Sequence, residues 1–95
     1  MIEERNEVSI HEVRIYHALR SRPNEWLTNR DIESLTEGVA RRTVRAHTLK
    51  LVKLGVLDQA EVFPAHRYRW SDKAEKRNPG YALRLKQAAE VFGIA

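Results

Sequence analysis

The sequence predicts a mainly α-helical protein with one small β-hairpin, which places it in the α+β class. Three observations lead to this prediction. Apolar residues recur at helical spacing in several segments, glycine or proline separates those segments, and one stretch after Gly55 instead alternates with the period of a strand. A chain of 95 residues fits one domain with a modest core. We therefore expect three helices, a hairpin and an additional C-terminal helix.

The first helix is expected to run from Val8 to about Arg20, where apolar residues repeat at helical spacing. Ser9 is a plausible N-cap because Glu12 follows it at the spacing of a capping box. Pro23 ends the helix, since the residue before a proline is pushed out of the helical conformation. Residues 1–7 are polar and are expected to form a flexible N-terminus.

A second, short helix is expected after an extended piece at Trp26 and Leu27. Thr28 and Asp31 have the spacing of a capping box, with Asp in place of the longer acids. Gly38 breaks this helix, because glycine enters positive φ without strain. The third helix then begins at about Val39 or Ala40 and stops at Gly55.

A β-hairpin is predicted after the third helix. Residues 56–63 are largely apolar, Pro64-Ala65-His66 interrupts the run, and Arg67-Tyr68-Arg69-Trp70 alternates charged with aromatic side chains. Two such runs around a short interruption are typical of a hairpin. The alternation is expected to place Arg67 and Arg69 on one face and Tyr68 and Trp70 on the other.

The last helix is expected from about Tyr81, after a break at Asn78-Pro79-Gly80. Its apolar stripe must be buried somewhere, either on the first helix of the same chain or against a second copy. We favour the second copy, which makes the protein a homodimer. The expected contact residues are Tyr81, Leu85, Ala88 and Phe92. The domain plan is thus a unit over residues 8–71 and a C-terminal helical extension over residues 72–95.

Charge is distributed unevenly along the chain. Residues 1–40 carry eight acidic and five basic side chains, whereas residues 41–95 carry twelve basic and five acidic ones, and the whole chain has a net charge of +4. Such asymmetry makes one face attractive to phosphates. The alternative is a solvated surface with no polyanionic partner.

The third helix concentrates this basic charge on its outer side. Advancing 100° per residue from Val44 places Thr48 and Leu51 on a core stripe. The opposite side carries Arg42, Arg45 and Ala46 with Lys53, flanked by Arg41, Thr43 and Lys50. Leu49 falls on the same outer half, so it needs cover, which the C-terminal segment could provide. The helix therefore buries one face and offers a basic one.

These segments resemble a known family of regulators. Thr43-Val-Arg-Ala-His followed by Leu51-Val-Lys-Leu-Gly-Val-Leu is similar to the recognition helix and following strand of winged helix-turn-helix DNA-binding domains, and Leu27-Thr-Asn-Arg-Asp-Ile is similar to the start of their second helix. The likeness covers about Val8 to Trp70 and departs at Thr48, where many members place leucine. It implies a prokaryotic, phage or plasmid-type transcriptional regulator with a three-helix core and a wing.

The predicted partner is double-stranded DNA, with the third helix (about Ala40 to Leu54) in the major groove. The stretch Phe63-Pro-Ala-His-Arg-Tyr-Arg is the expected wing, since proline suits a hairpin tip and basic residues there reach phosphate or the minor groove. We expect Arg42 and Arg45 to face bases. The full set of expected DNA-binding residues is Thr28, Asn29, Arg30, Arg41, Arg42, Thr43, Arg45, Ala46, Lys50, His66, Arg67 and Arg69.

Other functions fit the sequence less well. The four histidines are scattered over different elements, and no phosphate-binding loop, metalloprotease motif or nucleophile–base pattern occurs, so we expect neither an enzyme nor a metal or other cofactor. The alternative is a winged-helix protein-interaction or adaptor module, in which the basic face would be incidental. Double-stranded RNA is a third possibility, although it is usually recognised by shape across its minor groove. Without cysteine or an apolar run of membrane length, a cytoplasmic, nucleoid-associated location is expected.

Overall fold

The computed structural model describes residues 8–62 and 64–93 of the chain. The structure of this part is mainly helical with one two-stranded antiparallel sheet, which confirms the predicted α+β class. The predicted flexible segment 1–7 lies outside the described residues. In chain order the elements are α1 (Ile10–Ser21), α2 (Asn29–Leu35), α3 (Arg41–Lys53), β1 (Leu57–Val62), β2 (Ala65–Trp70), α4 (Ala74–Arg77) and α5 (Pro79–Val91).

Both predicted capping boxes are present. The Ser9 side chain accepts a hydrogen bond from the backbone N–H of Glu12 at 3.2 Å, and the Glu12 carboxylate accepts one from the N–H of Ser9 at 3.1 Å. Thr28 and Asp31 make the same reciprocal pair, with both bonds at 3.0 Å. Each pair satisfies two backbone donors that have no partner inside the helix. The starts of α1 and α2 are therefore encoded locally.

Helix α3 lies between two glycines with positive φ, Gly38 at +77° and Gly55 at +86°. It begins at Arg41 with Ala40 at the N-cap, close to the predicted start. Val44, Thr48 and Leu51 are its buried residues, as the sequence predicted. The helix thus turns its core stripe inward and leaves its basic side in solvent.

The hairpin has a tighter turn than the sequence predicted. The antiparallel register runs from Leu57 opposite Trp70 to Val62 opposite Ala65, so only residues 63 and 64 connect the strands. His66 was expected in the interruption but lies in β2, opposite Glu61. The reason is that a two-residue connection is enough for an antiparallel pair, and Pro64 within it has no N–H to contribute to the ladder.

A single residue pair extends the sheet toward the start of α2. Leu27 bridges Tyr68 in antiparallel fashion, and each backbone N–H donates to the other carbonyl at 2.7 Å. This confirms the short extended piece expected before Thr28. It also ties the start of α2 to β2 by two backbone hydrogen bonds.

The C-terminal helix starts earlier than predicted, because Asn78-Pro79-Gly80 begins α5 and does not merely break the chain. The Asn78 side chain caps the helix by accepting from the N–H of Tyr81 at 3.3 Å, and Pro79 occupies the first turn. Proline suits that turn because its fixed φ is helical and no N–H is needed there.

The apolar stripe of α5 folds back on the same chain. The helix packs against α1 and α4. Tyr81 and Leu85 are buried, Ala88 is half-buried, and Phe92 is 46% exposed at the end of the helix. Tyr81 and Leu85 were predicted as dimer contacts, but in this fold they belong to the core and present no surface to a second copy.

One continuous core joins these elements. Ile15 and Leu19 of α1, Ile32 of α2, Leu51 of α3 and Leu85 of α5 are all essentially inaccessible to solvent. At 20–30 cal/mol per Å² of apolar surface, such burial is the main stabilising contribution available to a chain of this size. Within ranges 8–62 and 64–93 there is no helix with the length and apolar character needed to cross a membrane.

Candidate nucleic-acid interface

A groove of about 830 Å³ lies between the start of α2, the outer side of α3 and the tip of the β1–β2 hairpin. We call it the basic groove. It brings together nine of the twelve residues that the sequence predicted for DNA binding. Its lining residues are Thr28, Asn29, Arg30, Arg41, Arg42, Arg45, Ala46, Leu49, Pro64, Ala65, His66, Arg67 and Tyr68.

Arginines from three elements give the basic groove its charge. The described residues that line it include Arg30, Arg41, Arg42, Arg45 and Arg67 and no acidic residue. Arg42 and Arg45 are exposed and make no ion pair with any described residue. Guanidinium groups fork toward planar oxygen pairs, so they suit phosphates and guanine edges. A concave surface with one sign of charge also concentrates ligands of the opposite sign.

The position of Arg41 is set by a neighbour on α2. Its Nε donates to the Glu33 carboxylate at 2.9 Å, although both side chains are partly exposed. A surface pair of this kind contributes at most about 1 kcal/mol, so it orients the guanidinium without strongly holding it. Arg41 consequently lies at the edge of the basic groove, with part of its charge already balanced.

The start of α2 contributes polar groups to the basic groove, and a buried residue of α3 orients one of them. The Oδ1 of Asn29 lies 2.9 Å from the Oγ1 of Thr48, a fully buried residue of α3, and accepts its hydrogen bond. That contact leaves the Asn29 amide group with donors for an outside partner. The Thr28 hydroxyl accepts the capping hydrogen bond of α2 from the backbone N–H of Asp31. Arg30 is exposed beside them.

The hairpin tip supplies the opposite wall. His66 is exposed, and its Nδ1 lies 2.6 Å from the Nε2 of Gln59 on the neighbouring strand. Arg67 is half-buried next to it, and Pro64 is exposed in the turn. Phe63, part of the predicted wing, lies outside the described residues. The tip therefore faces α3 across the groove with one imidazole and one guanidinium.

Lys50 was predicted to contact phosphate, but it is outside the basic groove. Its ammonium group pairs with the carboxylate of Glu12 on α1, which is 1% exposed. The cause is tertiary: Glu12 is 38 residues away in the chain, and a buried carboxylate requires a partner. Lys50 thus neutralises the buried Glu12 carboxylate and contributes no charge to the basic groove.

Thr43 and Arg69 are the other two predicted residues that the fold keeps apart from the groove. Thr43 is half-buried on the other flank of α3. The Nε of Arg69 lies 3.6 Å from the Oδ2 of Asp58 on the neighbouring strand. The guanidinium carbon of Arg69 lies 4.3 Å from the centre of the Trp26 ring. A cation over an indole face and beside a carboxylate is already satisfied. Strand alternation could not reveal these partners.

A cluster of ionisable groups occupies the junction of α1, α3 and α5, behind the basic groove. His47 Nδ1 lies 3.8 Å from the Glu12 carboxylate, and the His11 and His47 rings are 6.3 Å apart. Burial lowers the pKa of His47 although Glu12 opposes this, and Lys50 and His11 act in the same direction as burial. Burial, with Glu12 nearby, also raises the pKa of the Tyr81 hydroxyl.

Leu49 is a lining residue that the sequence prediction did not include in the site. The helical wheel placed it on the outer half of α3, where the C-terminal segment could cover it. Because α5 packs on α1 and α4, Leu49 stays 54% exposed within the groove. The helical wheel was the signal in the sequence for this position.

Comparison with known proteins adds no assignment, since no family model, curated protein or solved structure matches the chain. In the part of the chain that the structure describes, no group of three His, Cys, Asp or Glu side chains is arranged to hold a metal ion. The geometry and charge of the basic groove are therefore the features that indicate a function.

Proposed function

We propose that this chain is a winged helix-turn-helix protein that binds double-stranded DNA in a sequence-specific manner and acts as a small transcriptional regulator. The observation that carries the proposal is the basic groove, in which five arginines from α2, α3 and β2 line one concave surface whose described residues include no acid. A cytoplasmic location and a DNA partner belong to the same proposal.

The order of elements supports the winged-helix part of this proposal. The core includes the three helices α1 to α3, α2 and α3 are joined by a short turn at Gly38, and the hairpin follows α3 directly. The Leu27–Tyr68 bridge adds one residue pair beside the hairpin. In such an arrangement the second helix of the pair enters the major groove while the first lies across the backbone.

The dimensions and side chains of α3 suit the major groove. An α-helix with its side chains is about 10–12 Å across, and the major groove of B-DNA is about 12 Å wide. Arg42 and Arg45 are about one turn apart on the exposed side, and the neighbouring Ala46 is small enough for close approach. We assign these two arginines to base edges, where a guanidinium can take the O6 and N7 of guanine.

The remaining arginines of the groove are assigned to phosphates. Arg30 at the start of α2, Arg41 at the edge and Arg67 on the hairpin surround the exposed side of α3. Contacts of this kind fix register and orientation without reading sequence. An adaptor module would gain nothing from this arrangement, since a protein partner is not uniformly anionic.

The proposal is tested by selecting binding sequences from a random duplex pool and measuring two variants on the result. We expect Arg45→Ala to relax the preference at one position, at a cost of about 1–3 kcal/mol on the selected duplex. We expect Arg67→Ala to weaken selected and random duplexes alike and to lower the salt slope by about one.

Arg20→Ala is the matched control, because Arg20 is exposed on α1 away from the basic groove. It should behave like the wild type on both duplexes. If Arg45→Ala lost no discrimination while Arg20→Ala weakened binding as much as Arg67→Ala, the groove would not be the binding surface.

A further inference from the structure

Leu49 is a large aliphatic side chain in a groove that five arginines line. It is 54% exposed, it lines the basic groove, and the described C-terminal helix does not cover it. Exposed leucines are common singly, so exposure alone explains nothing. Its location among the arginines of α3 is what calls for a physical reason.

The helical geometry aligns Leu49 with the residues assigned to base edges. Leu49 is four residues after Arg45 and seven after Arg42, so all three share the outer side of α3. At 1.5 Å per residue, Leu49 lies about 6 Å beyond Arg45 along the helix axis. With base pairs about 3.4 Å apart, this corresponds to roughly two base pairs.

The chemistry of the major groove leaves one partner for an aliphatic side chain. Guanine, adenine and cytosine present hydrogen-bond donors and acceptors there, whereas thymine adds a C5-methyl group. A leucine packed against these donors or acceptors would displace the water that hydrogen-bonds to them, and it could form no hydrogen bond in its place. Against a methyl group it buries apolar surface on both sides.

We propose that Leu49, which lies next to Ala46 on the helix, itself contacts the C5-methyl group of a thymine within about two base pairs of the pair read by Arg45. Both side chains line the same stretch of the basic groove. The inference rests on the proposed function and deepens it, since it specifies one base of the recognised duplex. Leu49 then discriminates thymine from cytosine, which has the same pyrimidine ring but no methyl group.

The test replaces single methyl groups in the DNA. Each thymine of the selected duplex is changed in turn to deoxyuridine, which pairs identically but lacks the C5-methyl, and the Kd is measured for three proteins. These are the wild type, Leu49→Ala and the matched control Leu83→Ala. Leu83 is 53% exposed on α5, so the control makes the same substitution at equal exposure but outside the groove.

At one thymine we expect deoxyuridine to weaken the wild type and the Leu83→Ala control about fourfold, the value of one buried methyl group. Leu49→Ala should bind the thymine duplex more weakly than wild type and lose nothing further with deoxyuridine. Such non-additivity is the signature of two groups in contact. Thermal unfolding of all three proteins checks that their folds are equal.

Two other results overturn the inference in distinguishable ways. If the selected duplex binds but no position shows a deoxyuridine effect that disappears in Leu49→Ala, Leu49 does not read a methyl group and the proposed function stands. A selected duplex without thymine has the same meaning. If no duplex is enriched or bound at low salt, the proposed function fails, and this inference fails with it.

Discussion

Thr48 shows how one buried side chain links the core to the basic groove. Its Oγ1 lies 2.9 Å from the Oδ1 of Asn29 and 3.1 Å from the carbonyl of Arg45, and the residue is fully buried. A leucine at this position could fill the space but could not hold Asn29. The departure noted in the sequence therefore orients a polar residue of the groove.

His47 provides a prediction about pH, since burial lowers its pKa from the ordinary value of 6.5. The folded protein favours the neutral ring, so the unfolded chain binds more protons at mildly acid pH. The stability that the neutral His47 ring contributes should be fully present above pH 6.5. The free energy of unfolding should fall as the pH drops below that value. The measurement is the free energy of urea unfolding between pH 7.5 and 5.

The matched variants for this experiment are His47→Gln and His17→Gln. His17 is exposed on α1, so its substitution should keep the wild-type profile. The profile of His47→Gln should fall less steeply below pH 6.5, because the group that binds the extra proton in the unfolded chain is gone. Equal slopes for wild type and His47→Gln would show that this imidazole does not govern the acid response.

On α3, the site could be predicted from sequence where the helix's own geometry decides. The wheel correctly placed Arg42, Arg45 and Ala46 on the exposed side of α3. It could not assign Lys50, because the buried Glu12 that holds it comes from α1. Charge patterns identify a basic face, but tertiary partners decide which charges remain available.

Helix starts were predicted correctly where a capping box defines them. The predicted start was wrong where the same residues can either end or begin a helix. Ser9 and Thr28 cap α1 and α2 as predicted. Asn78-Pro79-Gly80, in contrast, can either break a chain or begin a helix, and the Asn78 cap decides for α5. The hairpin turn was predicted too long because apolar periodicity does not define the last paired residue.

The two glycines that flank α3 provide a prediction for this element. Both have positive φ, but a Cβ at Gly55 would lie 3.2 Å from the Cβ of Arg77, whereas the nearest atom to one at Gly38 is the flexible end of Arg14 at 3.7 Å. We expect Gly38→Ala to cost about 1 kcal/mol of unfolding free energy. Gly55→Ala should cost about 2 kcal/mol or more, because contact adds to the backbone strain.

Gly80→Ala is the internal control for this pair. Gly80 lies in α5 without a positive φ, and alanine favours a helix over glycine by up to about 1 kcal/mol. The variant should be neutral or slightly stabilised in the same urea titration. A Gly55→Ala protein as stable as Gly80→Ala would mean that the turn after α3 is not constrained as described.

In the molecule as a whole, α5 completes the core while the basic residues collect elsewhere. Leu85 is fully buried and α5 packs on α1, so the apolar stripe predicted as a dimer contact serves the chain's own fold. Arginines from α2, α3 and β2 line one groove, and Leu27 and Tyr68 tie the hairpin to the start of α2. Four of the twelve basic residues in the second half of the chain, together with Arg30, thereby lie on one concave surface.

The salt dependence of binding to a random-sequence duplex tests this surface most directly, because it needs no knowledge of the recognised sequence. If Arg30, Arg41 and Arg67 each neutralise one phosphate, log K should fall with log salt concentration with a slope of roughly −3. The selected duplex should bind more tightly at every salt concentration. Undetectable binding at low ionic strength, or an affinity that does not change with salt, would contradict a DNA-binding role for the basic groove.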